Sequence, residues 1–379
     1  RHALRERPQT IPASRRHGGA TLPMMPSPPD LTRRERLLRR WLMAVAALAG
    51  VMLVLVVAVV IYWLRFVLPT EPDPFTRGPY VAAVSATSAR IAWQAPDGTA
   101  VTIRATAPDG ATIDAPEGRL TGLRPGTRYG WTASVGGTAR AWGSVTTPPV
   151  SRAAPIRFVT FGDYGAGGED EYAVGRVAAA QGPAFTASLG DNVYLAAAPV
   201  LFDHNLFQPL RPLLAQGPLL GVLGDHDTLW NGGTALAGTL NWPGQGDRSV
   251  QRYGPVALIT LGVEGDEADL PFLRQALATT QDVGARYVLV HRPPAAGNPI
   301  LPVVRAAGVA AVMSGHNHRY ERRTVDGVLC LTVGTGGAPR SDGDGFTPVS
   351  SDAVVSLAEF GLLRVDLAGR RAAYAFIDA

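Results

Sequence analysis

The chain has 379 residues, 46% hydrophobic and 17% charged, enough for two domains and a tail and too apolar to be disordered throughout. Its net charge of +4 is unevenly spread: ten arginines face three acids over residues 1–40, eight face six over residues 41–150, and seventeen face twenty-two from residue 151 onward. That distribution excludes a basic, nucleic-acid-binding body. Cys330 is the only cysteine, so an intramolecular disulfide is excluded as well, and its neighbours Val328, Leu329 and Leu331 predict a buried strand residue.

Residues 1–40 are predicted to be a disordered basic tail, because the first thirty are rich in Pro, Arg, Ser and Gly and show no apolar period. From Trp41 to Leu64 run 24 residues without a charge, bracketed by Arg40 and Arg65. As a helix rising ~1.5 Å per residue this segment exceeds a hydrocarbon core of ~30 Å, so it predicts one transmembrane helix with the lipid bilayer as its partner. Arg33, Arg34, Arg36, Arg39 and Arg40 crowd its N-terminal flank and only Arg65 lies just beyond the other end. By the positive-inside rule the tail is cytoplasmic and everything after the helix is extracytoplasmic. Val67-Leu68-Pro69-Thr70 does not resemble a small-residue cleavage site, so the segment reads as an uncleaved signal-anchor in the cell membrane.

A Pro-rich linker is expected over residues 65–77. Short β-rich runs separated by turns then fill residues 78–147, among them Ala89 to Trp93, Val101 to Arg104 and Tyr129 to Ala133, and predict a small all-β sandwich. The stretch from Leu120 to Tyr129 resembles the turn into a late strand of a fibronectin type III domain, which implies a tyrosine-corner role for Tyr129 and a core role for Trp93. A second linker, residues 148–155, leads into residues 156–379, where apolar strands alternate with helical stretches as in a layered α/β domain. Strands are predicted at Ile156–Phe161, Phe185–Leu189, Leu219–Leu223, Val256–Leu261, Tyr287–Val290 and Val309–Met313, and a helix at Asp269–Ala278 with Asp269 as its cap. Hairpin turns are expected at Asp326-Gly327 and Ala368-Gly369.

Nearly every one of these strands runs into Asp or His. Phe161 leads to Gly162-Asp163-Tyr164-Gly165, Leu189 to Gly190-Asp191-Asn192-Val193-Tyr194, Leu223 to Gly224-Asp225-His226-Asp227, Val290 to His291, and Met313 through Ser314 to Gly315-His316-Asn317-His318. In an open α/β sheet, ligands bind beyond the carboxyl ends of strands, so these side chains are expected to converge on one crevice. Carboxylates, imidazoles and a phenol suit hard or borderline cations.

In this order the motifs resemble the calcineurin-like metallophosphoesterase superfamily, and the run Gly315-His316-Asn317-His318-Arg319-Tyr320-Glu321-Arg322 makes the resemblance one to the purple acid phosphatases. It covers about residues 156–379 and implies an α/β fold, a layered metallophosphoesterase β-sandwich flanked by helices, preceded here by the small all-β sandwich and the transmembrane helix. It further implies two metal ions: Fe(III) held by Asp163, Asp191, Tyr194 and His318, and a divalent ion (Fe, Zn or Mn) held by Asp191, Asp225, His291 and His316, with Asp191 bridging. His226 would contact the substrate and protonate the leaving alcohol. Tyr320 and Glu321 would be supporting residues, because a ligating histidine needs an orienting partner. Asp225 departs from the family's Asn and adds a negative charge beside the phosphate. Arg292 is a candidate for holding the substrate phosphate in place of the extra histidines of plant-type members, against the ordinary reading of a solvated surface arginine. His204 fits no motif and is read as structural. The implied activity is phosphomonoester hydrolysis of the acid phosphatase type by in-line attack of hydroxide activated at the metal pair. A phosphodiesterase on the same site and a non-catalytic surface adhesion module are the alternatives.

Overall fold

The structure, a computed structural model, describes residues 32–66, 74–339 and 349–379. The expected tail over residues 1–31 and most of the first linker lie outside the described residues. The chain divides into an N-terminal unit, residues 1–59, and a second unit from residue 60.

Helix α1, Arg33–Phe66, begins well before the uncharged segment, which corrects the expectation that residues 33–40 are disordered. The reason is local. Thr32 Oγ1 accepts from the Glu35 amide (3.4 Å) while Glu35 Oε2 accepts from the Thr32 amide (2.7 Å), a reciprocal cap that starts the helix. The Arg and Leu residues that follow are good helix formers. The stretch Arg33–Tyr62 is long and apolar enough to cross a membrane, and none of its most apolar window is buried in protein.

Seven strands follow: β1 (Arg77–Val84), β2 (Ser88–Gln94), β3 (Val101–Thr106), β4 (Thr112–Ala115), β5 (Arg119–Thr121), β6 (Arg128–Val135) and β7 (Thr138–Thr146). They form a three-stranded sheet, β1-β2-β5, and a four-stranded sheet, β4-β3-β6-β7, with antiparallel pairs throughout. Val81, Ile91 and Leu120 from the first sheet and Ile103, Trp131 and Val145 from the second share one apolar core. Trp131, 2% exposed, is the fully buried tryptophan there, while Trp93 is half-buried and packs against the cluster.

The remainder comprises β8 (Ile156–Phe161), α2 (Glu169–Ala180), β9 (Phe185–Ser188), α3 (Arg211–Leu214), β10 (Leu219–Gly221), α4 (Asp225–Thr228), α5 (Thr234–Thr239), β11 (Ser249–Tyr253) and β12 (Val256–Thr260). After them come α6 (Leu270–Thr279), β13 (Ala285–Leu289), α7 (Ile300–Ala306), β14 (Ala311–Ser314), β15 (Tyr320–Val325), β16 (Val328–Val333), β17 (Ala353–Leu357), β18 (Gly361–Ala368) and β19 (Arg371–Asp378). They build two mixed sheets, β10-β9-β8-β18-β19 and β11-β12-β13-β14-β16-β15-β17. Both expected hairpins are present, β15 with β16 and β18 with β19.

Period-2 alternation explains why the central strands read as continuous apolar runs. In β12, β13 and β14 the residues Leu258, Tyr287, Leu289 and Met313 point into the core between the sheets, where Tyr287 meets Phe158 of β8 edge-on at 5.5 Å. Their neighbours Ile259, Val288, Val290 and Val312 point the other way, onto Leu273 and Leu277 of α6 and Leu301 and Val304 of α7. Cys330 belongs to that outer layer and is 1% exposed. Each large apolar side chain so buried contributes about 1.5–3 kcal/mol. Asp269 stands at the N-cap position of α6 as expected but makes no side-chain cap there, and Asp266 caps the short helical turn Glu267–Asp269 that precedes it. Asp266 accepts from the Ala268 amide at 2.9 Å, whereas the buried Asp269 carboxylate turns inward to Arg248 and to the amides of Gly262 and Asp266.

Candidate metal centre

The parallel strands β8, β9, β10, β13 and β14 end on the same side, and the loop after each delivers the polar residues singled out in the sequence. Asp163 follows β8, Asp191 and Tyr194 follow β9, Asp225 and His226 open α4 after β10, His291 follows β13, and His316 and His318 follow β14. Asp163, Asp191 and His316 lie at φ +58°, +53° and +67°. That left-handed conformation is costly for residues with a side chain, and its concentration at one crevice marks backbone strained for a purpose. Gly190, at φ +94°, lies so close to the His291 ring that a Cβ there would collide with Nδ1, and Gly315 stands in the same relation to Asp163 Oδ2.

Two groups of three ligand atoms lie within 4.8 Å of one another: Asp225, His291 and His316, and Asp163, Asp191 and His291. Tyr194 and His318 border the second group, the phenol 3.4 Å from Asp163 Oδ1 and 3.1 Å from His318 Nε2, and that nitrogen 3.4 Å from the same carboxylate oxygen. All seven residues expected to hold metal therefore line one crevice. Its floor, Asp163, Asp191 and His291, is buried, and its mouth, Asp225, His316 and His318, is about one-third open.

The donor chemistry fits cations. His291 Nδ1 is 2.8 Å from the Leu189 carbonyl, to which it must donate, so its Nε2 carries a lone pair when the ring is neutral. That lone pair faces Asp225 Oδ1 at 2.9 Å and Asp191 Oδ1 at 3.4 Å, and both His291 Nε2 and Asp225 Oδ1 are buried without a hydrogen-bond partner. His318 repeats the pattern, with Nδ1 on the Pro339 carbonyl at 3.1 Å and Nε2 turned to Asp163. Lone pairs aimed at carboxylates repel unless a proton or a metal ion lies between them. Burial alone would lower the His291 pKa, but the Asp191 and Asp225 carboxylates raise it well above the usual imidazole range. Asp225 is correspondingly held low, chiefly by His291. The Tyr194 phenol is pushed far up by burial and then by the Asp163 and Asp191 charges, so only a cation would draw out its proton.

His226 sits beside this crevice. Its ring centroid is 4.4 Å from that of Tyr194, its Nδ1 is 2.9 Å from the Leu195 carbonyl, and its amide donates to Asp191 Oδ1 at 3.1 Å. Leu195 and Leu229 next to it are exposed. Arg292 lies at the rim, 3.1 Å from Glu264 and 3.7 Å from Asp225 Oδ2, so its charge is engaged by acids of the chain itself. Tyr320 and Glu321 differ from expectation: Tyr320 stacks on Phe376, and Glu321 accepts from Ser350 and pairs with Arg319 and Arg323. Backbone carbonyls orient His291, His318 and His226 instead.

A supporting group went unassigned in the sequence. Asp227, fully buried, accepts from the amides of Asn192, Val193 and Gly224 and from Asn192 Nδ2 at 2.7–3.1 Å, tying the loops that carry Asp191 and Asp225 together. Burial first, then the Asp191 charge, pushes its carboxyl up to about 6. The signal available was a second acid two residues after Asp225, at the end of an apolar strand. His204 is buried and structural, its Nδ1 2.9 Å from Asn205 Oδ1.

No family model matches the chain and no curated protein matches its sequence. Solved structures do match. A purple acid phosphatase from seeds of yellow lupin (Lupinus luteus) superposes with a TM-score of 0.63 at 14% identity, over 81% of this chain and 74% of that one. The structure of PhoD superposes with a TM-score of 0.56 at 11% identity, over 82% and 90% of the two chains. At these identities the likeness is one of fold: the chain shares the mixed α/β architecture of these two structures.

Proposed function

We propose that this chain is a metal-dependent phosphoesterase anchored in a membrane by α1, with its catalytic domain extracytoplasmic. The observation that carries the reading is the pair of unpartnered buried atoms, His291 Nε2 and Asp225 Oδ1, at the centre of a cluster of carboxylates, imidazoles and one phenol. Asp163, Asp191, Tyr194 and His318 would hold one ion, proposed to be ferric, and Asp191, Asp225, His291 and His316 a divalent one. When bound, such a pair supplies Lewis acidity to the phosphoryl oxygens and activates the attacking oxygen. The chain's own contribution is to aim the donors through the strand ends, to keep the floor dry, and to place the His226 Nε2 proton where a leaving alkoxide develops. The carbonyl of Leu195 accepts from Nδ1 and leaves Nε2 as the nitrogen available to the leaving group.

The small sandwich is read as fibronectin type III-like. Its division into three and four strands supports this, as does Tyr129, whose hydroxyl accepts from the Arg124 amide at 2.8 Å in the manner of a tyrosine corner. The test of the function is metal analysis of the purified chain together with assays on chromogenic monoesters and diesters. Two ions per chain and chelator-sensitive monoester hydrolysis are expected. A metal-free chain inert to both ester classes would overturn the reading, and diester hydrolysis alone would replace the monoesterase by a phosphodiesterase.

A further inference from the structure

We infer that the small sandwich is a positioning element for the metal centre and that Arg77 on β1 is the residue through which it acts. The inference rests on the proposed role of Tyr194 as a ligand.

Arg77 is 7% exposed although it is the first residue of its strand. Its guanidinium forks onto Asp203, Nε to Oδ1 at 2.6 Å and Nη2 to Oδ2 at 3.3 Å. It also lies over two aromatic faces, 4.5 Å from the ring centre of Phe207 and 5.8 Å from that of Phe202. A two-point, aromatic-walled seat fixes both ends of the short helical turn Asp203–Phe207, because Asp203 opens that turn and Phe207 closes it. Tyr80, also on β1, adds to the grip with its ring 4.7 Å from Phe207.

The clamped turn carries Asn205, 3% exposed, whose Nδ2 donates to the Tyr194 carbonyl at 2.6 Å. On the other side of that residue the Tyr194 amide donates to the Gly165 carbonyl at 2.7 Å. Tyr194 is thus gripped at both its N–H and its C=O, and only the second grip comes from a segment held by the sandwich. The path Arg77, Asp203, Asn205, Tyr194 is a continuous series of hydrogen bonds and one helical turn, ending at the phenol 3.4 Å from Asp163. Such outer contacts orient the donors they touch, and losing one weakens metal binding by about 10- to 100-fold.

The full-length chain serves for the test, with Arg77→Ala, Asn205→Ala, the double variant, and Arg104→Ala as a control, since Arg104 pairs with Asp114 on the exposed face of the same sandwich. In the metal-free chain, hydrogen exchange at the Tyr194 amide should quicken in Arg77→Ala and not in Arg104→Ala, while amides of β3 and β6 stay protected. In the loaded chain, affinity for the ion beside Tyr194 should fall about tenfold or more with the other ion retained, and the double variant should be no worse than Asn205→Ala. Unchanged exchange at Tyr194, unchanged affinity in Arg77→Ala, or additive losses in the double variant would overturn the inference. A wild-type chain that takes up no metal would instead overturn the phosphoesterase reading, and exchange at Tyr194 would still decide the mechanical coupling.

Discussion

Tyr194 and His226 lie ring against ring at 4.4 Å, yet their proposed tasks differ, and so do their tests. A phenolate is a hard anionic donor that favours ferric over ferrous iron. Iron-loaded, aerobically purified chain should therefore be visibly coloured, and Tyr194→Phe should bleach it and shift that position toward a divalent ion. A colourless wild type with two divalent ions and full turnover would remove the tyrosine from the ligand set. His226, whose Nδ1 is committed to the Leu195 carbonyl, is proposed to act on the leaving group and to hold no metal. His226→Ala should slow hydrolysis of esters with poor leaving groups by about 10²- to 10⁴-fold and activated aryl esters far less, with metal content unchanged. Loss of metal in that variant would make it a ligand instead.

At the scale of the element, strand ends aim the donors and the loops after them hold the aim. Gly315 separates β14 from His316, and its backbone passes against Asp163 Oδ2. Gly315→Ala should push Asp163 off both the His316 amide and the ion, giving a chain with native circular dichroism and less than the wild-type metal content. Full occupancy would show that the loop yields freely. The loop after Asp163 is closed by Glu171 of α2, whose Oε2 accepts from the amides of Ala166 and Gly167 at 3.1 and 2.7 Å while Oε1 has no partner. Burial raises this carboxyl well above its usual range, against the pull of those two amides. Folding thus favours the protonated form. The stability Glu171 contributes is present below its unfolded pKa of about 4.3 and is lost as pH rises toward the folded value. Relative to wild type, metal-free Glu171→Gln should gain stability on going from pH 4 to higher pH, by up to ~1.4 kcal/mol per unit. Urea titrations at a series of pH values measure this, and a constant difference would show that the carboxylate is not penalised.

For the whole molecule, the proposed orientation rests on the five arginines at residues 33–40 against one, Arg65, just after Leu64. Protease added to intact cells should release a fragment beginning near residue 74 that keeps metal and activity. A fragment protected until the membrane is breached would reverse the topology. The sandwich and the larger α/β body belong to one compact unit. They are joined by the Arg77 seat, by Tyr80 Oη donating to the Thr239 carbonyl at 3.1 Å, and by the Ser144 amide donating to the Ala215 carbonyl at 2.9 Å.

What the sequence determined by itself is whatever depends on local order: the apolar span, the strand cores with their period of two, the turn glycines at 327 and 369, and the placement of an Asp or His after nearly every apolar strand. These are properties of consecutive residues, and solvent alone selects them. Where helix α1 begins escaped the reading because a reciprocal Thr32–Glu35 cap outweighed the disorder suggested by composition. Only the tertiary structure decided the rest. Asp227 and Asn205 bind backbone groups 11 to 35 residues away in sequence, and His291 and His318 are oriented by carbonyls 102 and 21 residues distant rather than by Glu321. Arg77 finds Asp203 across 126 residues. No periodicity encodes such pairings, because they exist only once two sheets have packed and brought the loop that supplies each acceptor beside the loop that needs it.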